Sequence, residues 1–262
     1  MIGVFDSGIG GLTVFQEIAR RFPTLDVLYL GDTARVPYGT KSPETVIRYS
    51  FEAARFLGSR GVELLVVACN TSSALALDAL ERELTIPVIG VIKAGARRAA
   101  AATKNRRVGV IGTPATIRSG AYTRAIRDEN PAIQVSPAAC PLFVPLAEEG
   151  WTENSVARET SWIYLDPLAR EGVDTLVLGC THYPILRKTI GEVMGPGVTL
   201  VDSAEPVADE VGERLRGLGR DPARGRGERH FFVTDNWERF REVGARFLGH
   251  SIDKLELVDL QA

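Results

Sequence analysis

Two nine-residue stretches of this chain repeat each other. Gly61-Val62-Glu63-Leu64-Leu65-Val66-Val67-Ala68-Cys69 and Gly172-Val173-Asp174-Thr175-Leu176-Val177-Leu178-Gly179-Cys180 share five of nine positions, and both end in cysteine. Upstream of each lies a second echo at nearly the same offset, Ile2-Gly3-Val4-Phe5-Asp6-Ser7 against Val108-Gly109-Val110-Ile111-Gly112-Thr113. A chain that carries the same pair of segments twice, in the same order, is constrained to two related halves. If the halves face each other about a pseudo-twofold axis, the two thiols approach one cleft from opposite sides. That geometry suits proton exchange on both faces of a single carbon.

Short runs rich in Val, Ile and Leu recur at 2–5, 27–30, 64–68, 87–92, 107–111, 174–178, 198–201, 230–234 and 255–258. Runs apolar at nearly every position fit strands buried on both faces, the signature of parallel sheets. Between them, helical spacing appears at 45–57, 72–84, 154–169 and 237–247. Alternating strand and helix give the class α/β, as two pseudo-symmetric domains with mainly parallel sheets flanked by helices. The polar break Thr103-Lys104-Asn105-Arg106-Arg107 precedes the second-half strand, and the chain after about 204 has no counterpart in the repeat. The expected division is 1–95 plus 205–262 for a discontinuous first domain and 96–204 for the second.

The 262 residues, 45% hydrophobic and 24% charged with a formal charge of -2, describe an ordinary globular protein able to bury a sizeable core. This balance argues against nucleic acid as a partner. The start MIGVFDSGIGG has no basic segment leading into an apolar one, and no run is long enough to span a bilayer, so a cytoplasmic location is expected. Cys69, Cys140 and Cys180 make neither a zinc pattern nor a disulfide framework, and a reducing compartment keeps them as thiols. The tract Gly217–Gly227, built of glycine, arginine and proline, reads as an exposed loop; it lacks the interleaved aromatics that stack on bases.

Both repeated cysteines close a strand and precede a helix-like segment, 70–84 and 182–193. Ligands of open parallel sheets bind beyond the carboxyl ends of strands, and a helix N-terminus is expected to draw a thiol pKa down toward neutrality. Cysteine often does no more than pack, and that reading holds for Cys140. It fails for a duplicated cysteine flanked by Asn70-Thr71 and by Thr181-His182, because polar residues crowd a strand end at sites rather than in cores. His182 lies two residues from Cys180 and is a candidate proton partner. Asp6-Ser7-Gly8-Ile9-Gly10-Gly11 resembles a dinucleotide fingerprint but has Thr13 at its third glycine position. A small anion could use its backbone N–H groups, while Asp6 suits a thiol that must lose a proton or a simple helix cap. Thr113 and Thr116 could bind a carboxylate or cap the next helix.

Taken together, DSGIGG at 6–11, VPYGTKS at 36–42, ACNTSSA at 68–74, GTPAT at 112–116, PLAEEG at 145–150 and GCTHYP at 179–184 resemble the glutamate racemases of the aspartate/glutamate racemase family, nearly end to end. The resemblance implies an active site between the domains and interconversion of L- and D-glutamate without cofactor or metal. It implies Cys69 as the thiol acting on D-glutamate and Cys180 on L-glutamate, with Asp6, His182 and Glu148 assisting. Ser7, Pro37, Tyr38, Gly39, Asn70, Thr71, Thr113, Thr116 and Thr181 fall in its substrate-binding motifs, together with Asp6 and His182. Pro114, and Lys93-Ala94 before Gly95, depart from the family form. A homodimer is compatible with this reading. The alternatives are a racemase of aspartate or another amino acid, a cysteine hydrolase using Cys180 and His182, and a non-catalytic protein of the gyrase-inhibitor kind.

Overall fold

The computed structural model describes residues 1–219 and 227–260. Among them run ten strands: β1 Ile2–Asp6, β2 Val27–Gly31, β3 Leu64–Val67, β4 Val88–Gly90, β5 Arg107–Gly112, β6 Gln134–Ala139, β7 Thr175–Gly179, β8 Thr199–Val201, β9 Arg229–Val233 and β10 Leu255–Leu257. They form two all-parallel sheets, ordered β10-β9-β2-β1-β3-β4 and β6-β5-β7-β8. The order β2-β1-β3-β4 maps onto β6-β5-β7-β8 strand for strand, so the echoes in sequence mark the two central strands of each half. The segment without a counterpart supplies β9 and β10, which extend the first sheet beyond β2. No helix among the described residues is long and apolar enough to cross a membrane.

The near-continuous apolar runs have a direct cause. In the first sheet Val4, Tyr29 and Val66 face one buried cluster, whereas Phe5, Leu30 and Val67 face another. Helices cover both faces, so alternate residues are all apolar. The first of these clusters continues into the second half through Val108, Val110, Leu176 and Leu178. Helix Val91–Ala102 joins the sheets; its small Ala94, Ala96 and Ala99 are buried, and it packs on helix Ala121–Glu129 and on β7.

Three local expectations need correction. The run 87–92 is strand only over Val88–Gly90, and Val91 already starts the helix. The helix expected over 72–84 is two, Asn70–Leu75 and Leu77–Glu83, parted at Ala76. Strand β6 was not anticipated: its sequence, Gln-Val-Ser-Pro-Ala-Ala, is only partly buried and carries Pro137. It lies at a sheet edge, where a missing N–H and polar side chains are tolerated. Of the Arg-Gly tract, residues 220–226 lie outside the described residues.

The polar break before β5 is a staple. Thr103 Oγ1 donates to Asp174 Oδ1 at 2.6 Å, and the backbone N–H groups of Lys104 and Asn105 donate to Oδ2 at 2.7 Å each. Burial works to raise the Asp174 pKa, but these hydrogen bonds outweigh it and hold the carboxyl below its usual range. A lowered folded-state pKa contributes stability that is present above the ordinary value of 3.8 and lost as pH falls through the folded value. Asp174→Asn is therefore expected to lower the urea midpoint at neutral pH, with the deficit shrinking in acid. Equal deficits at both ends of the pH range would exclude a role for the charge.

Candidate active site

The turns that leave β1, β3, β5 and β7 meet between the two sheets at their carboxyl ends, where open α/β sheets place ligands. They enclose a cavity of about 50 Å³ walled by Ser7, Gly8, Cys69, Asn70 and Thr71 from one half and Thr113, Val144, Glu148, Cys180, Thr181 and His182 from the other. The loop Val36–Gly39 covers it. Pockets for drug-sized ligands run to roughly 300–1,000 Å³, so the enclosure fits a small metabolite better than a dinucleotide.

On the first-half side, the buried Cys69 follows β3 and its S–H donates to Ser7 Oγ at 3.4 Å. Burial, followed by the negative charge of nearby Asp6, pushes the Cys69 thiol up to about 11. This corrects the expectation of a thiol drawn toward neutrality. Cys69 does precede a helix, but that helix has only six residues, and desolvation dominates its weak dipole. Asp6 itself is fully buried; it accepts from the Gly8 N–H at 2.9 Å and from Thr181 Oγ1 at 3.4 Å. Burial raises its pKa against the opposing pull of His182.

On the second-half side, Cys180 Sγ lies 3.9 Å from His182 Nδ1, and His182 Nε2 lies 3.0 Å from Glu148 Oε1. Burial alone would depress the imidazole, yet the contacts with Cys180 and Glu148 prevail and raise it to about 10. At neutral pH both ring nitrogens thus carry protons and donate, one toward sulfur and one to carboxylate. Glu148 is moved oppositely: burial works upward, and His182 and then Arg239 bring it below its usual range. Past His182 the chain makes a short 3₁₀ turn, Tyr183–Leu186, before helix Arg187–Met194, so no α-helix N-terminus adjoins Cys180.

Between the thiols, hydroxyl and amide groups span the two halves. Thr71 Oγ1 lies 2.9 Å from Thr113 Oγ1 and 3.1 Å from Thr116 Oγ1, and the latter two are 3.0 Å apart. Thr113 also caps helix Pro114–Ser119, whose first position suits Pro114. Asn70 Oδ1 accepts from Tyr122 at 2.8 Å, while its buried Nδ2 has no partner among the described residues. An amide donor left unpaired in a cavity wall awaits an acceptor on a ligand.

The glycines of DSGIGG serve packing. A Cβ on Gly10 would stand 2.3 Å from Thr181 Oγ1 and 2.4 Å from His182 Nδ1, and one on Gly11 would stand 2.4 Å from Asp6 Cβ. Gly39 is pressed in the same way against Thr113, with 2.6 Å to its Cβ. The Gly8 N–H is already taken by Asp6.

The structure brings Ser7, Pro37, Tyr38, Gly39, Cys69, Asn70, Thr71, Thr113, Glu148, Cys180, Thr181 and His182 to the cavity wall; Asp6 and Thr116 stand behind it. The Tyr38 hydroxyl is engaged with Asp32, leaving its ring to the cavity. Cys140 is buried elsewhere, its Sγ 3.8 Å from the Ala138 carbonyl. Arg239, Phe247 and Tyr122 went unnoticed in the sequence because no motif surrounds them; they reach the site only through tertiary packing.

Two outcomes test this geometry. Gly10→Ala should part the two halves and cost most of the activity along with several degrees of thermal stability, read by calorimetry; an unaltered variant would show that the close approach is dispensable. In the ligand-free protein, alkylation at Cys69, followed by mass spectrometry, should climb about tenfold per pH unit from neutrality and level off near pH 11. Asp6→Asn should move that midpoint down, since it removes the charge that disfavours the thiolate; a wild-type midpoint below 9 would contradict the burial argument.

Comparison with known proteins agrees with the geometry. The family model described as Asp/Glu/Hydantoin racemase matches residues 2–211. A glutamate racemase of Geobacter metallireducens is 60% identical over 100% of this chain and 97% of its own. The crystal structure of a glutamate racemase from Bacillus anthracis superposes with a TM-score of 0.96 at 41% identity, covering 99% of this chain and 97% of that one. A glutamate racemase from Francisella tularensis, solved in complex with D-glutamate, gives 0.93 at 39% identity with the same coverages. With a model match over most of its length and relatives this similar from end to end, the chain belongs to the Asp/Glu/hydantoin racemase family, among its glutamate racemases.

Proposed function

We propose that this glutamate racemase inverts the α-carbon of glutamate with Cys69 and Cys180 as paired acid and base. The observation that carries the reading is that the thiols ending the twin strands β3 and β7 line one small closed cavity. An amino-acid α-proton is weakly acidic, so its removal needs a desolvated base and fixed donors where charge develops. Cys180 as thiolate, held by the protonated His182, takes the α-proton of L-glutamate, and the Cys69 S–H delivers a proton to the opposite face. For D-glutamate the roles reverse. One base alone would return the proton to the face it left; two opposed thiols explain inversion without an electron sink.

Asn70, Thr71, Thr113 and Thr181 are the donors suited to the substrate carboxylates, and Ser7 and Asp6 set the environment of Cys69. Glutamate is favoured over aspartate because the close relatives are glutamate racemases. A hydrolase built on Cys180, His182 and Glu148 would leave Cys69 without a task in the same cavity. The D-glutamate formed supplies peptidoglycan synthesis, and three free thiols suit a reducing cytoplasm. The same reading takes 1–95 plus 205–262 and 96–204 as the two domains, consistent with sheet membership, and a homodimer could cover exposed Trp162 and Ile163.

Cys69→Ala and Cys180→Ala should each lower racemisation by about 10²- to 10⁴-fold or more, the range of general acid–base assistance, whereas Cys140→Ala should leave it near wild type. Proton NMR in deuterated water separates the faces. Cys180→Ala should still exchange the α-proton of D-glutamate and not of L-glutamate, and Cys69→Ala the reverse. A fully active Cys69→Ala protein would overturn the two-thiol mechanism.

A further inference from the structure

The two thiols hold twin positions but have unlike neighbours. Cys69 meets the hydroxyls of Ser7 and Ser72 and the charge of Asp6, while Cys180 faces a row that runs through His182 and Glu148 to Arg239. The row ends on helix Trp237–Leu248, part of the segment with no counterpart in the repeat. This helix touches the row twice. Arg239 Nη2 lies 3.5 Å from Glu148 Oε2 and 2.9 Å from Glu149 Oε1, and the Phe247 ring stands edge-on to the His182 imidazole at 5.6 Å and 82°.

The helix is itself fixed from the first half. Asn236 caps it by accepting from the Arg239 N–H at 3.2 Å, Phe240 and Val243 are buried, and the Leu248 carbonyl accepts from Gln16 Nε2 at 2.7 Å. Glu148, by contrast, ends the short helix Phe143–Glu148 and His182 lies in the turn after β7, both in the second half. The imidazole is thereby held from two directions by an element anchored in the other domain: Phe247 limits tilting of the ring, and Arg239 holds the carboxylate that fixes Nε2. Among the described residues helix Trp237–Leu248 makes no such contact with Ser7 or Ser72, the hydroxyls beside Cys69.

We propose that Arg239 and Phe247 are positioning residues that act on the Cys180 proton transfer and not on that of Cys69. The inference rests on the two-thiol reading above. Neither residue lines the cavity, so each acts through His182. The expected loss on substitution is about tenfold in kcat/KM, below the ~10²- to 10⁴-fold of a direct proton partner. Because the equilibrium between enantiomers is fixed, kcat/KM must fall equally in both directions, and rates alone cannot show which transfer has slowed.

Isotope effects can. With α-deuterated L-glutamate, labelled hydrogen leaves through Cys180; with α-deuterated D-glutamate, through Cys69. If Arg239→Met and Phe247→Leu slow only the Cys180 transfer, the isotope effect on kcat/KM should rise above wild type from L-glutamate and fall toward unity from D-glutamate, and Arg239→Lys should restore most of the wild-type pattern. A fall in kcat/KM with both isotope effects unchanged would show a merely structural role and overturn the inference, as would the opposite split or an unchanged rate. Racemisation surviving in Cys180→Ala would instead remove the mechanism on which it rests, so the two failures are distinguishable.

Discussion

The close approach of two sets of strand ends governs the rest of the molecule. Gly10 lies against Thr181 and His182, and Gly39 against Thr113, at separations that leave no room for a Cβ. Only with that clearance can turns from separate sheets close a cavity small enough to exclude water from a carbon acid. Low local dielectric then strengthens every charge inside, for the substrate and for the thiols alike.

That enclosure gives its two sulfurs unlike neighbours. Around Cys69 burial and the Asp6 charge oppose ionisation, which keeps a proton available and makes the thiolate a strong base once formed. Around Cys180 the protonated His182, itself held by Glu148, supplies a compensating positive charge. A duplicated backbone thus carries two different electrostatic settings. The difference originates partly within the duplicated unit, where His182 stands opposite Thr71 and Asp6 opposite Gly112, and partly in Glu148 and the added C-terminal segment.

Much of the fold was legible because strands buried on both faces are apolar throughout, and the repeat paired β1 with β5 and β3 with β7 before any coordinates. Strand β6 escaped because an edge position tolerates Ser136 and Pro137. The residues at the cavity wall could be read from short motifs that follow strands. The reading went astray wherever a local rule met tertiary packing: the helix-terminus argument for Cys69 omitted desolvation, and in the first turn, read as able to hold a small anion, Gly10 makes room for the other half of the molecule. Arg239 and Tyr122 had no local signature, since their meaning lies in partners 91 and 52 residues away.

The hydroxyls of Thr71, Thr113 and Thr116 and the pair Asn70–Tyr122 are at once the polar lining of the site and bonds between the two halves. Affinity for a ligand and the strength of the seam between the halves are therefore coupled. A dicarboxylate that recruits these groups from both sides ties the halves together by as much as their joining favours its binding, since such coupling is reciprocal. The alanine-rich helix Val91–Ala102, which does not line the cavity, joins the two sheets, so its packing sets how the halves of that seam stand to each other.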